Sequence, residues 1–458
     1  MKTILLSEVA VLATVSLAMA QASPTPFVTQ PYSLDSGDQA NSRNEAVTMF
    51  SAEVSAPGTP LMRLSFGECT LGEASWVAIT SMTDGATQYL DSASLEAWDH
   101  ASAVFNGDTV IVELVVAPGE EDIYFTLDGV SAAPVSLALD PIESICGSND
   151  NRVPSSDPRV GRLLFGGCTG WLVSNGAALT AGHCTPLSGV MEFDVPQSLS
   201  NGTPVAAHPD NQYPLTGTLG FDEDGPGDDW AVFTIGPNSN TGLRAHVVRG
   251  FFRMTSNEPP DGATMRVTGY GLDNMPSGPG GGPCCDVDSD GNCNNNCNSS
   301  SLTEQTATGA YDTAICCGSD ILRYTVDTTP ANSGSPVIRE SSGVAVGIHT
   351  HGGCDSFLAG NDNEGTAFSN GQLESSLHNV QGASARYCDS GLFGLPQNGG
   401  VFEPFNTVAP AVASVANGGV ISIVAGNYPA SAGNTFVAGA DGKAITFKSP
   451  VGLARIGN

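Results

Sequence analysis

The stretch Cys168-Thr169-Gly170-Trp171-Leu172-Val173, the turn Ser174-Asn175-Gly176, and then Ala177-Ala178-Leu179-Thr180-Ala181-Gly182-His183-Cys184 decide how this chain is read. Two apolar runs of strand length flank a turn built from residues that favour tight bends, which is the signature of a β-hairpin. Arms this apolar read as buried strands. One cysteine begins the first strand and the other closes the second, so Cys168 and Cys184 could be brought together across the pair. His183 then stands at the end of a buried strand, beside that pairing.

Further along lies a second informative turn, Ala331-Asn332-Ser333-Gly334-Ser335-Pro336, which follows Thr328-Thr329 and precedes Val337-Ile338. A serine among residues this small can present its hydroxyl and leave backbone N–H groups free around it. In a chain with 55 glycines such a turn is by itself an ordinary loop. It becomes a nucleophile turn only with a base and an orienting acid elsewhere. His183 offers the base. Asp228 and Asp229 compete for the acid; Asp229 precedes the apolar run Trp230-Ala231-Val232-Phe233, where a strand would carry it inward, whereas Asp228 reads as solvated.

Composition sets the setting. The 458 residues carry a formal charge of −31, with lysine only at positions 2, 443 and 448. Such a surface repels nucleic acid and anionic membranes and suits a soluble life outside the cell. Lys2, the apolar run Val9 to Ala18 and the small residues Ala18-Met19-Ala20 follow the plan of a secretory signal peptide, residues 1–20. No other stretch approaches the roughly 18 apolar residues of a membrane span. Twelve cysteines fit an oxidising compartment.

Residues 21–145 begin with a polar lead-in, about Ser23 to Glu45, expected to be flexible. Short strands follow at Leu61 to Phe66, Trp76 to Thr80, Thr109 to Val116 and Ile123 to Leu127, with a helical turn around Ser94 to Ser102. They argue for an antiparallel β-sandwich-like module, either a pro-domain or an accessory domain. Residues 396–458 alternate short strands with Gly/Asn turns and resemble a coil or two of a parallel β-helix, too few for an independent solenoid.

Thr180-Ala181-Gly182-His183-Cys184, Asp229-Trp230-Ala231-Val232 and Asn332-Ser333-Gly334-Ser335-Pro336, in that order, resemble the chymotrypsin-like (trypsin-like) serine endopeptidases. Within that family they resemble the bacterial secreted glutamyl endopeptidases. The resemblance runs from about Cys146 to Cys388 and implies an all-β fold: a double β-barrel over residues 146–395, flanked by the two β modules. It implies a triad of His183, Asp229 and Ser333, with an oxyanion hole from the N–H groups of Ala331 and Ser333. The chemistry agrees, because a serine hydroxyl needs a base to take its proton and an imidazole needs a carboxylate to fix its tautomer. The family has glycine at the place of Ala331, so the alanine must accept a conformation that tolerates its β-carbon. Asn332 replaces the aspartate of animal-type relatives, which removes activation by a freed N-terminal ammonium.

The same resemblance places Thr328 and His349 on the wall of the specificity pocket, where His349 would bind an acidic side chain. Asp327 stands where trypsin-type enzymes hold a carboxylate for arginine and lysine. The preference is for His349, which requires Asp327 to be engaged elsewhere.

Asp286, Asp288 and Asp290, followed by Gly291, have the alternation of a calcium loop, but Cys297 stands where a complete loop has glutamate. Structural calcium and a disulfide-stapled acidic loop both remain open. No cofactor is expected for catalysis. Cys354 and Cys388 could pair, while Cys146 could bind either Cys69 or a partner within its own domain.

The resulting expectation is a secreted serine endopeptidase acting on protein or peptide substrates, with a surface or matrix partner conceivable through the flanking modules. The alternatives are an arginine/lysine preference, or a secreted binding or adhesion protein that retains the fold without turnover.

Overall fold

The protein is described by a computed structural model covering residues 19–20, 27–133, 144–147, 150–199, 202–272, 286–287, 293–294, 297–313, 320–354, 362–392, 396–432, 434 and 442–457. Strands are its main regular element and helices are few, as the short apolar runs predict. No helix among the described residues is long and apolar enough to cross a membrane.

The N-terminal module contains β1 (Val28–Asp35), β2 (Val47–Ser55), β3 (Leu61–Thr70), β4 (Trp76–Ser81), β5 (Thr87–Leu90), β6 (Phe105–Asn106), β7 (Thr109–Val116) and β8 (Tyr124–Ala132). They form two four-stranded antiparallel sheets, ordered β1-β8-β3-β6 and β2-β7-β4-β5. In β7 every second residue is buried, so Val110, Val112, Leu114 and Val116 face the core. The expected helical turn is the helix Ser92–Ala97, capped by Asp91. The expectation of a flexible lead-in is corrected. Val28–Asp35 is a strand held to β8 by its backbone, and its largely exposed side chains give it no hydrophobic pattern to read.

This module packs on the domain that follows. Its core includes Leu164, Val190 and Ala206 from beyond residue 146. Gln212, fully buried, accepts from Val104 N–H and donates to Val104 O, both at 2.8 Å.

The next domain opens with β9 (Val153–Pro154). A closed barrel follows, formed by β10 (Val160–Leu163), β11 (Cys168–Leu172), β12 (Ala178–Thr180), β13 (Val190–Glu192), β14 (Gln212–Glu223) and β15 (Asp229–Ile235), in the order β10-β11-β12-β15-β14-β13. The predicted hairpin is β11 and β12, with Trp171 opposite Leu179. The second half contains β16 (Thr264–Gly269), β17 (Gln305–Ala310), β18 (Ile321–Tyr324), β19 (Pro336–Arg339), β20 (Val344–Gly352) and β21 (Asn363–Ala367). Its antiparallel path is β9-β17-β16-β19-β20-β21-β18. A single bridge from Tyr311, just past β17, to Tyr324 in β18 brings the two sides of this path together.

Trp171, Leu179, Trp230 and Val232 of the first half pack with Ile338, Ala345 and Ile348 of the second in one core. Each fully buried aliphatic or Phe side chain there contributes about 1.5–3 kcal/mol. The two halves are therefore fixed against each other, and the facing ends of their strands form the site.

Beyond it, β22 (Arg386–Cys388), β23 (Val420–Ile423), β24 (Gly426–Tyr428), β25 (Thr446–Lys448) and β26 (Ala454–Ile456) pair in parallel, as β22-β23-β25 and β24-β26. The first of these parallel strands, Arg386–Cys388, precedes residue 396, where the sequence reading begins the C-terminal module.

Cys168 and Cys184 form a disulfide. The expected pairing of Cys354 with Cys388 is corrected: Cys354 bonds Cys146, while Cys388 and Cys69 carry free thiols. Cys388 is committed to the core of the C-terminal strands, with Ile421, Ile423 and Tyr428, and burial pushes its thiol up to about 12.

Candidate active site

His183 lies in a single 3-10 turn, Gly182–Cys184, immediately after β12. A β-carbon on Gly182 would overlap the backbone carbonyl of Asp222, so only glycine lets this turn lie against β14. Asp229 is the first residue of β15 and is fully buried. Its Oδ1 accepts from the His183 backbone N–H at 2.9 Å, and its Oδ2 lies 2.6 Å from His183 Nδ1. A carboxylate can only accept, so Nδ1 carries the proton and Nε2 keeps its lone pair. Thr366 of β21 grips the other side of Asp229, donating to its carbonyl at 2.8 Å and accepting from its N–H at 3.2 Å. Asp228 is exposed and accepts instead from Asn370.

The Ser333 turn is docked by the hairpin that opens the domain. Thr169 N–H donates to Ser333 O at 2.8 Å, and Thr169 Oγ1 donates to Ala331 O at 3.1 Å. At Gly334, φ is +88° and a β-carbon would overlap Thr180 Oγ1 and Thr169 O, so glycine is required on two grounds. Ala331 has φ +77°, the left-handed conformation that glycine adopts freely, and its β-carbon packs with Leu272 and Leu302. Among the described residues neither Ala331 N–H nor Ser333 N–H donates to a backbone acceptor, while the intervening Asn332 N–H donates to Thr329 O.

Ser333 Oγ and His183 Nε2 are both buried, and neither has a hydrogen-bond partner among the described residues. The hydroxyl-to-imidazole bond is thus not closed, a separation common in free proteases that tightens when substrate binds.

His349, fully buried in β20, has its Nδ1 2.7 Å from the Tyr324 hydroxyl. Burial lowers this imidazole to about 3, with His351 and His183 adding to the effect, so it is neutral. Burial raises the Tyr324 phenol well above its ordinary range, so it keeps its proton. The Tyr324 hydroxyl donates to Glu364 O at 3.3 Å and shares the shorter bond with His349 Nδ1, and His349 also bonds the Glu364 backbone.

Asp327 is engaged elsewhere. Its carboxylate accepts from Cys146 N–H and Asn151 N–H, each at 2.7 Å, and from Asn151 Nδ2 at 3.0 Å. Burial raises it above the usual carboxylate range against the pull of those donors. Thr328 is buried beside it, accepting from Asn363 Nδ2 at 3.0 Å.

Of the proposed calcium ligands, Asp288 and Asp290 lie outside the described residues, and Asp286 is described only as part of a two-residue strand paired with Cys293–Asn294.

Sequence reasoning missed His351. Its Nδ1 shares a 2.8 Å hydrogen bond with Thr350 Oγ1 and lies 3.7 Å from Asp229 Oδ2, with its ring edge-on to His183 at 5.9 Å. Burial lowers its basicity, partly opposed by Asp229. The His-Thr-His spacing in β20 was its only signal. Along the outer edge of β20, Met19–Ala20 pairs antiparallel, with Met19 opposite Gly352 and Ala20 opposite His351. An extended backbone can therefore lie beside this site.

Residues 146–359 match the family model described as Trypsin. The chain is similar to a solved Glu endopeptidase in complex with MPD, at 18% identity over 49% of this chain and 93% of that one, with a TM-score of 0.34. It is also similar to neuropsin, a serine protease expressed in the limbic system of mouse brain, at 16% identity over 47% and 91%, with a TM-score of 0.32. No curated protein matches.

Proposed function

We propose that residues 146–359, a trypsin-like serine endopeptidase domain, hydrolyse peptide bonds with Ser333 as nucleophile, His183 as base and Asp229 as its orienting acid. The observation that carries this is the pairing of a buried, doubly bonded Asp229 with His183, whose Nε2, like Ser333 Oγ, is buried and without a hydrogen-bond partner among the described residues. His183 Nε2 takes the Ser333 proton as Oγ attacks the scissile carbonyl, and Asp229 stabilises the imidazolium that forms. The N–H groups of Ala331 and Ser333 receive the oxyanion. His183 then returns the proton to the leaving amine, and water releases the acyl group by the same route.

The substrate lies extended along β20 and presents an acidic side chain before the scissile bond to the imidazole of His349. A neutral donor suits this task because it does not carry the cost of a buried, unpaired cation when the pocket is empty. The three donors on Asp327 favour this reading over an arginine or lysine preference. The signal-like pattern of residues 1–20 and the paired cysteines support a secreted setting.

A peptide series carrying Glu, Asp, Gln, Arg, Lys or Leu before the scissile bond tests both parts. Cleavage lost in Ser333→Ala and fastest for Glu is expected. Cleavage fastest for Arg or Lys would overturn the His349 assignment, and a folded protein that cleaves nothing would favour a binding protein.

A further inference from the structure

The oxyanion loop poses a physical problem. Ala331 must hold φ at +77° with a β-carbon, which costs about 1–2 kcal/mol relative to the ordinary region. Strain of this kind persists only where the surroundings over-determine the backbone. Part of the restraint comes from Leu272 N–H on Pro330 O at 2.9 Å and from Thr169 Oγ1 on Ala331 O. These hold the loop from its own middle. Its ends are Thr329 and Asn332, and they converge on a different group.

Arg152 Nη1 donates to Thr329 Oγ1 at 2.7 Å and to Leu272 O at 3.1 Å. Thr329 Oγ1 donates in turn to Leu272 O at 2.9 Å and accepts from Asn332 Nδ2 at 3.3 Å. One hydroxyl thus joins both ends of the loop, and the guanidinium joins that hydroxyl to the carbonyl of Leu272, the residue whose N–H holds Pro330. Asp150 clamps the other side of the guanidinium, accepting from Nε at 2.9 Å and Nη2 at 2.5 Å. The two side chains are 4% and 1% exposed. A buried ion pair this isolated from water is weak evidence for stability alone, since apolar residues of similar volume often serve as well. Its orientation toward a strained functional loop points to a second role.

We propose that Arg152, clamped by Asp150, is a positioning residue that locks the loop from Thr329 to Asn332 in the shape that aims the Ala331 and Ser333 N–H groups at the oxyanion. Asn332 is neutral, so no carboxylate beneath the nucleophile waits for a new N-terminal ammonium. The cationic anchor is instead a side chain of the chain itself and is in place without any cut. This inference rests on the proposed role of Ser333 and its oxyanion hole.

The test compares Arg152→Ala, Arg152→Lys and Thr329→Val in the full chain. It reads kcat and KM on one peptide substrate, with active sites counted by a serine-directed fluorophosphonate. Thr329→Val leaves the Arg152–Asp150 pair whole, so it carries the test if Arg152→Ala fails to fold. Expected is a fall in kcat per labelled site of about 10- to 100-fold in Arg152→Ala and Thr329→Val, with KM moving far less. Arg152→Lys, which keeps the charge but not the planar fork, falls between, and added guanidinium ion restores part of the Arg152→Ala loss. An unchanged kcat per labelled site in Thr329→Val, or a loss seen only as fewer labelled sites, would overturn the inference while leaving the protease reading intact. A parent protein without Ser333-dependent turnover would instead overturn that reading, and this one with it.

Discussion

The two halves of the domain that carries the candidate site hold their groups in opposite ways. In the first, His183 and Asp229 sit at the ends of β12 and β15, strands of a closed barrel, and meet through two short hydrogen bonds. In the second, Ser333 sits in an irregular turn between β18 and β19, at a left-handed alanine, restrained by Thr169, Leu272 and Arg152. The acid–base pair is therefore a by-product of regular strand geometry. The proposed nucleophile and oxyanion donors depend on side chains that reach in from elsewhere. The difference predicts that damage on the barrel side acts on chemistry through one bond, whereas damage on the loop side acts through geometry and is graded.

The largest effect should come from the barrel side. In Asp229→Asn the carboxamide still accepts from His183 N–H, but its NH2 group faces Nδ1 and drives the imidazole proton to Nε2, where the base is needed. A fall in kcat of about 10⁴-fold with a near-parent melting temperature is expected. Asp228→Asn serves as the control, since that carboxylate is exposed and faces Asn370. A comparable loss there would break the assignment of the acid.

The two disulfides sharpen the same contrast in stability. Cys168–Cys184 spans 16 residues and staples the barrel hairpin, whereas Cys146–Cys354 spans 208 and ties the entry of the domain to the end of β20. Loop-closure entropy assigns about 3 kcal/mol to a loop near 15 residues and about 4.7 kcal/mol to one near 100. Paired Cys→Ser replacement at 146 and 354 should therefore lower stability in denaturant by about 2 kcal/mol more than at 168 and 184. The reverse order would mean that the second half keeps its arrangement without the long bridge. Asp327 should respond as well, because one of its donors is the N–H of Cys146.

The same contrast explains what the sequence could reveal. His183, Asp229 and the hairpin were legible because buried strands write their burial into runs such as Trp230 to Phe233. The choice of Asp229 over Asp228 followed from that run and from the family position that Asp229 matches. Thr169, Thr366, Tyr324 and Arg152 left no such trace. Each acts on the site through polar bonds to residues well separated in sequence, 162 positions in the case of Thr169 and Ala331. The Cys146–Cys354 pairing was hidden for the same reason, since spacing carries no information about so long a loop. Val28–Asp35 escaped because a strand held by backbone pairing with exposed side chains looks like a polar linker.

The smallest expected effect tests the loop side most directly. Ala331→Gly removes the left-handed penalty of about 1–2 kcal/mol but loses the β-carbon packed on Leu272 and Leu302, and glycine gains freedom in the unfolded chain worth about 0.5–1 kcal/mol. The net gain should not exceed about 1 kcal/mol, a shift of a few degrees or less in melting temperature for a domain this size. The informative measurement is the coupling with Arg152. With glycine at 331 there is less strain for the guanidinium to hold, so Arg152→Ala should cost less in kcat than it does in the parent. A cost equal in both backgrounds would mean that the loop keeps its shape independently of the strain at Ala331, and that Arg152 acts on some other part of the turn.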